Sequence, residues 1–198
     1  MTKPRLVLAS ASPARLRLLQ AAGIEPRVIV SHVDEDDVDP SDPRRLVAAL
    51  ARRKAEAVAA ACHDGELVLG CDSTLDVDGR SYGKPATPHE AVHRWLENRG
   101  RTATLLTGHH IIDTATGREA TGVAATVVHF GTPTDEEIQA YVATGEPLAV
   151  AGAFTLDGRS AAFIEGVDGD PSNVIGCSLP LVRSLTGQLG ISWTSLWA

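Results

Sequence analysis

The sequence predicts a mixed-sheet α/β protein of two lobes, on three observations. Short apolar runs alternate with helical patterns through the first sixty residues. Two longer strand-like runs, near 102–113 and 119–130, sit either side of a turn at Ala115-Thr116-Gly117 and read as a long central hairpin. A chain of 198 residues can bury one large core or two small ones. There is no internal repeat, low-complexity tract or linker, so residues 1–198 are read as one domain.

Leu6-Val7-Leu8-Ala9 reads as a buried strand, and Ala14 to Ala22 as a helix ended by Gly23. Residues 25–33, with Val28, Ile29 and Val30, read as a second strand, which the acidic run 34–40 must end. Asp42-Pro43 opens a long helix to about Cys62, with proline at the favoured first position. Leu67 to Cys71 is a short buried strand that ends at Asp72. Asp78-Gly79 is a hairpin signal between Leu75-Asp76-Val77 and Arg80-Ser81-Tyr82. Thr87-Pro88-His89-Glu90 and Thr134-Asp135-Glu136-Glu137 are capping boxes for helices to about Asn98 and Thr144. The glycine-rich last fifty residues end in a helix from Leu179 to Gly187.

The formal charge of −7 argues against nonspecific nucleic-acid binding, which needs a positive field. It leaves room for an anionic small molecule in a locally basic pocket. The odd, widely spaced Cys62, Cys71 and Cys177 form no C-x-x-C pair, and no run reaches membrane-spanning length. No signal peptide opens the chain, so a reducing cytoplasm is the expected compartment.

Five places carry chemistry. At Ser10-Ala11-Ser12-Pro13-Ala14-Arg15, Ser12 is placed as N-cap and Pro13 as first helical residue. An ordinary capped helix fits this stretch, and so does an anion cradle, because uncapped amides, hydroxyls and a guanidinium are what an anion needs. Lys54 shares a helical stripe with Leu46, Leu50 and Val58, so it either snorkels outward or meets a buried anion. Asp72 follows an apolar strand, a position open to turn capping or to ligand binding. Glu35 belongs to a charge run that suits a solvated loop, or a magnesium-like ion shared with Asp72. Lys84, between Gly83 and Pro85, is a solvated loop residue or a lysine held in place. No Walker loop, dinucleotide fingerprint, nucleophile elbow or H-E-x-x-H occurs. Arg15, Lys54 and Lys84 as anion binders, with Glu35 and Asp72 as metal ligands or base, make a set suited to phosphoanhydride hydrolysis.

The chain resembles the Maf family (septum formation inhibitor Maf) of nucleoside triphosphate pyrophosphatases. The resemblance rests on Leu8 to Arg15, Leu50 to Ala55, Gly70-Cys71-Asp72-Ser73, Gly83-Lys84-Pro85, Thr107-Gly108, Ala151-Gly152-Ala153-Phe154, and Gly169-Asp170 through Pro180. The stretches 31–36 and 173–180 look most like actinobacterial members. The resemblance implies an elongated, inosine-triphosphatase-like fold with a central cleft, and a likeness to homodimers. It implies hydrolysis of a nucleoside triphosphate to monophosphate and pyrophosphate with Mg²⁺ or Mn²⁺. Asp72 falls on the family's proton acceptor, and Ser12 and Arg15 on its phosphate loop, with Ser10 also in that loop. Glu35 falls on the acidic metal residue, and Lys54 and Lys84 on the two lysines.

Three positions depart from the family pattern. Ala14 stands where an arginine is usual; Ser73 and Asp157 stand where pyrimidine-preferring members have threonine and glutamine. Ser73 and Asp157 are thus candidate substrate contacts that leave the base open. An ionised Asp157 accepts hydrogen bonds but cannot donate them. A nucleotide-binding regulator of septum formation, needing no catalysis, is the alternative reading, and a phosphatase releasing orthophosphate is a second enzyme reading.

Overall fold

The computed structural model describes residues 4–35, 38–63 and 65–198, so Asp36 and Asp37 of the acidic run lie outside the described residues. A mixed sheet organises the chain. Its strands are β1 (Arg5–Leu8), β2 (Arg27–Val28), β3 (Glu66–Val77), β4 (Arg80–Tyr82), β5 (Thr102–Asp113), β6 (Glu119–Phe130) and β7 (Ile164–Asp168). Their order is β2-β1-β3-β5-β6-β7, with β4 pairing β3. The β2, β1 and β3 neighbours are parallel and the remaining pairings antiparallel.

Helices flank this sheet: α1 (Pro13–Ala21), α2 (Pro43–Ala59), α3 (Pro88–Asn98), α4 (Asp135–Ala143), α5 (Pro171–Ile175) and α6 (Leu179–Gln188). Five of them carry proline in the first turn, where the missing N–H costs nothing. The Thr134 box closes in both directions. The Thr87 box closes in one only: Thr87 accepts from the Glu90 amide, but the Glu90 carboxylate turns to the Ala86 amide and to Arg94.

Two expectations change. The strand read over 25–33 shrinks to Arg27–Val28, which pair with Val7 and Leu8; β1 ends at Leu8, so nothing of it lies beyond Val28, and Pro26 on the other side has no N–H to give a ladder. The strand read as ending at Asp72 runs on unbroken to Val77, because β5 pairs with it from Leu67 to Asp76. What changes near Asp72 is the other edge. There β1 pairs up to Leu69 and β4 from Leu75, so among the described residues no strand lies beside 70–74 on that edge.

Three hydrophobic clusters follow the strands. One joins Leu69, Cys71 and Ile111 to Leu19 of α1 and Val182 and Leu185 of α6. A second, on the opposite face, joins Val68 and Ile112 to Ala55 and Val58 of α2. The third lies at the far end, where Trp95 meets Phe130, Tyr141 and Phe163 edge-on around Leu75 and Leu105. The polar side chains of Asp72, Ser73 and Thr107 fall between the two ends.

Candidate active site

Two glycines set the distance between α2 and the sheet. A Cβ on Gly70 would stand 2.1 Å from the Ala51 carbonyl oxygen, and one on Gly108 would stand 2.1 Å from that of Val47. Gly108 is the register partner of Asp72. Backbone therefore rests on backbone on both sides of the aspartate, which brings the buried stripe of α2 down onto it. Lys54, in that stripe, is 9% exposed, and its Nζ lies 2.6 Å from Asp72 Oδ1 and 2.6 Å from Glu35 Oε1. Of the two sequence readings of Lys54, the buried anion is the one realised. Glu35 reaches in from the loop after β2 and stays half exposed. Asp72 is 9% exposed. Burial pushes its carboxyl above the usual carboxylate range; Lys54 and Arg15 pull it back, and Glu35 adds to the rise.

Side chains alternate along a strand, so Cys71 and Ser73 point to the face opposite Asp72. Arg15 lies on that face. Its Nη1 donates to Ser10 Oγ (3.0 Å) and to the Cys71 carbonyl (3.0 Å), its Nη2 to Ser73 Oγ (3.0 Å), and its Nε to the Gly176 carbonyl (2.7 Å). The guanidinium thus takes up an edge carbonyl of β3 where β1 has stopped. Ser10, nearly buried, also accepts from the Ser12 amide (3.2 Å), and Ser12 Oγ accepts from the Arg15 amide (3.4 Å), capping α1. Ser10, Ser12 and Arg15 therefore form one folded loop at the gap in the sheet edge. Arg15, expected as an anion binder, spends four of a guanidinium's five N–H groups inside the protein.

Ser73, expected as a substrate contact, has its hydroxyl engaged by Arg15 and by Thr107 Oγ1 (2.9 Å). Lys84 is exposed, with no hydrogen bond or ion pair among the described residues. Leu75 pairs with Tyr82, so the chain leaves β4 heading along β3 toward Ser73 and Asp72. Asp157 sits elsewhere, in the loop after Phe154, where Thr155 donates to one oxygen and Arg17 of α1 lies 3.2 Å from the other. Its carboxylate is partly committed to a surface ion pair with α1. Ala14 is half-buried in the first turn of α1.

Thr107 and Asn173 back the Ser10–Arg15 loop from inside: Thr107 Oγ1 meets Ser73 Oγ and donates to the Asn173 carbonyl (3.2 Å). The available signal in the sequence was the polar pair Thr107-Gly108 interrupting an apolar strand. Cys71, His109 and Cys177 also meet, their ligand-type atoms within 4.8 Å of one another, which sequence spacing could not show. Both His109 nitrogens are engaged: Nδ1 donates to the Thr107 carbonyl and Nε2 accepts from the Ser178 amide (2.8 Å). Burial lowers the His109 pKa to about 4, in keeping with a neutral ring, and the trio is packed core.

Asp72 and Glu35 are a fit for a small divalent cation. Two carboxylate oxygens already converge on one positive charge, and hard oxygen donors are what Mg²⁺ and Mn²⁺ take. The Arg15 loop stands at the same break in the sheet. Together these groups can bind an anionic chain of phosphates and hold a carboxylate base beside it.

Comparison with known proteins agrees with this chemistry. The family model described as Maf-like protein matches residues 5–189. A protein named nucleoside triphosphate pyrophosphatase from Streptomyces avermitilis is 62% identical over 194 residues, spanning 98% of this chain and 94% of its own. A protein of the same name from Streptomyces coelicolor is 60% identical over 195 residues (98% and 95%), and one from Thermosynechococcus vestitus 55% over 184 (93% and 93%). Among solved structures, the Ham1 protein of Staphylococcus aureus superposes with a TM-score of 0.44 at 15% identity (98% and 93%), too slight a likeness to carry an argument. No helix of the described residues is long and apolar enough to cross a membrane. The chain belongs to the Maf-like protein family.

Proposed function

We propose that this chain is a nucleoside triphosphate pyrophosphatase, hydrolysing its substrate to a monophosphate and pyrophosphate in a cleft between two lobes. The observation that carries the reading is Lys54: one ammonium, 2.6 Å from a buried and from an exposed carboxylate, at the break in the sheet edge beside the Ser10–Arg15 loop. The shared name of relatives at 55–62% identity supports it. In this reading Ser10, Ser12 and the last free N–H of Arg15 hold phosphate oxygens, and Lys54 and Lys84 neutralise them. Asp72, raised in pKa by its burial, orients the attacking water and takes its proton. The water strikes the α-phosphorus and pyrophosphate leaves. Glu35 and Asp72 would hold a Mg²⁺ or Mn²⁺ ion, which when bound supplies charge neutralisation on the phosphates. Asp157 belongs to the base end, where an acceptor-only carboxylate favours a donor-rich base edge. A homodimer in the cytoplasm, with no nucleic acid or membrane as partner, is part of the same proposal and rests on the family resemblance.

The test is a panel of standard and modified nucleoside triphosphates with Mg²⁺ or Mn²⁺, scored for products. Monophosphate and pyrophosphate are expected, with turnover at least ~10²-fold lower in Asp72→Asn, the scale of a lost general base. Orthophosphate as the first product would make the chain a phosphatase. Tight binding without turnover on any triphosphate would make it a nucleotide-binding regulator.

A further inference from the structure

Arg15 has one N–H left for a ligand, on Nη2, and the other Nη2 hydrogen has one partner that helps hold the guanidinium in place. That partner is Ser73 Oγ, which must accept from Arg15. Its own proton then goes to Thr107 Oγ1, 2.9 Å away. Thr107 Oγ1 in turn lies 3.2 Å from the main-chain carbonyl of Asn173. A carbonyl can only accept, so the Thr107 proton is committed there. The direction of every bond follows from that end: Arg15 donates to Ser73, Ser73 to Thr107, and Thr107 to Asn173. Reversing any one would set two acceptors against each other in a place where Thr107 is 0% exposed.

We infer that Thr107 is a positioning residue for the reaction. Wholly buried, it cannot touch a substrate, yet it takes the Ser73 proton inward and so anchors the hydroxyl that accepts from Arg15. The guanidinium is thereby held on four protein acceptors, which leaves one Nη2 N–H with no protein acceptor among the described residues. This rests on the pyrophosphatase reading for what Arg15 binds. It adds a residue that acts through two others, from β5 and from the face opposite Asp72.

Three variants test it. Thr107→Val keeps the shape and removes the hydroxyl. Asn173 O still accepts from the Gly176 amide (2.9 Å), so that carbonyl is not orphaned. Expected is a loss of about tenfold in kcat/KM, the scale of one misdirected hydrogen bond to a charged group. Thr107→Ser, which restores the donor and acceptor, is expected within about twofold of the unsubstituted protein. In a Ser73→Ala background, Thr107→Val is expected to cost nothing more, because the relay is already cut. Should Thr107→Val fail to fold, Thr107→Cys, a weak donor and acceptor, takes its place in the same cycle. Binding of inorganic triphosphate, measured by calorimetry on each variant, provides a readout that needs no turnover. If the unsubstituted protein turns over no nucleotide, the enzymatic reading fails, while weaker triphosphate binding by Thr107→Val still supports the relay. Unchanged kcat/KM and triphosphate affinity in Thr107→Val, no rescue by Ser, or losses that add fully to those of Ser73→Ala would each overturn it.

Discussion

Lys54 breaks an apolar helix face, and what it meets explains why: two carboxylates at 2.6 Å. This much is legible in sequence, because a periodicity of four marks the buried face and a lysine there needs an anion or a way out. The pH dependence of activity follows from the same contact. With Asp72 as the proposed base, activity needs it ionised, and burial has raised its pKa, so the acid limb of kcat/KM should lie above the ordinary aspartate value of 3.8. Lys54 favours the ionised form. In Lys54→Met the limb should therefore move to higher pH, measured on whatever residual rate remains; a limb that stays put or moves down would separate Lys54 from the titration of Asp72. Arg15 was the less legible residue. Its position one turn into a helix speaks for an anion, but the Gly176 carbonyl that takes its Nε lies 161 residues along the chain. Nothing local announces an acceptor delivered by the last helices, nor that Ser73 would be claimed from inside.

At the scale of elements, local rules located most of what formed. The hairpin strands fall at Thr102–Asp113 and Glu119–Phe130, and proline with an adjacent cap starts α1, α2 and α3. Where they failed, the cause was a partner strand. Residues 25–33 look extended, but β1 ends at Leu8, the partner of Val28, whereas β3 continues through Asp72 because β5 is twelve residues long. Strand length is a property of the neighbour, which periodicity does not contain. The close seat of α2 on the sheet is likewise a tertiary fact, readable only as two unexplained glycines. Gly70→Ala would put a methyl 2.1 Å from the Ala51 carbonyl and should destabilise the fold by about 1–3 kcal/mol, the cost of overpacking. Denaturant midpoints check this against Gly166→Ala, where a Cβ meets nothing within 4 Å and the midpoint should hardly move. Equal midpoints for the two would mean α2 is not held by that contact.

Across the whole molecule, a long antiparallel ladder joins two hydrophobic ends, and the polar side chains gather where one edge of the ladder changes partner. In the proposed reading a chain of net charge −7 serves an anionic substrate there because Arg15 and Lys54 stand on the two faces of that break, with Lys54 held between Asp72 and Glu35. The family likeness orders the candidate residues, and the fold accounts for why they lie together. Hydrolysis at the α-phosphorus is the claim that joins them. It is tested most directly by turnover of a nucleoside triphosphate in ¹⁸O-enriched water with a divalent cation, followed by mass spectrometry of both products. The label should appear in the nucleoside monophosphate and be absent from the pyrophosphate. Label in the pyrophosphate, or in released orthophosphate, would place the attack on another phosphorus and contradict the assigned chemistry.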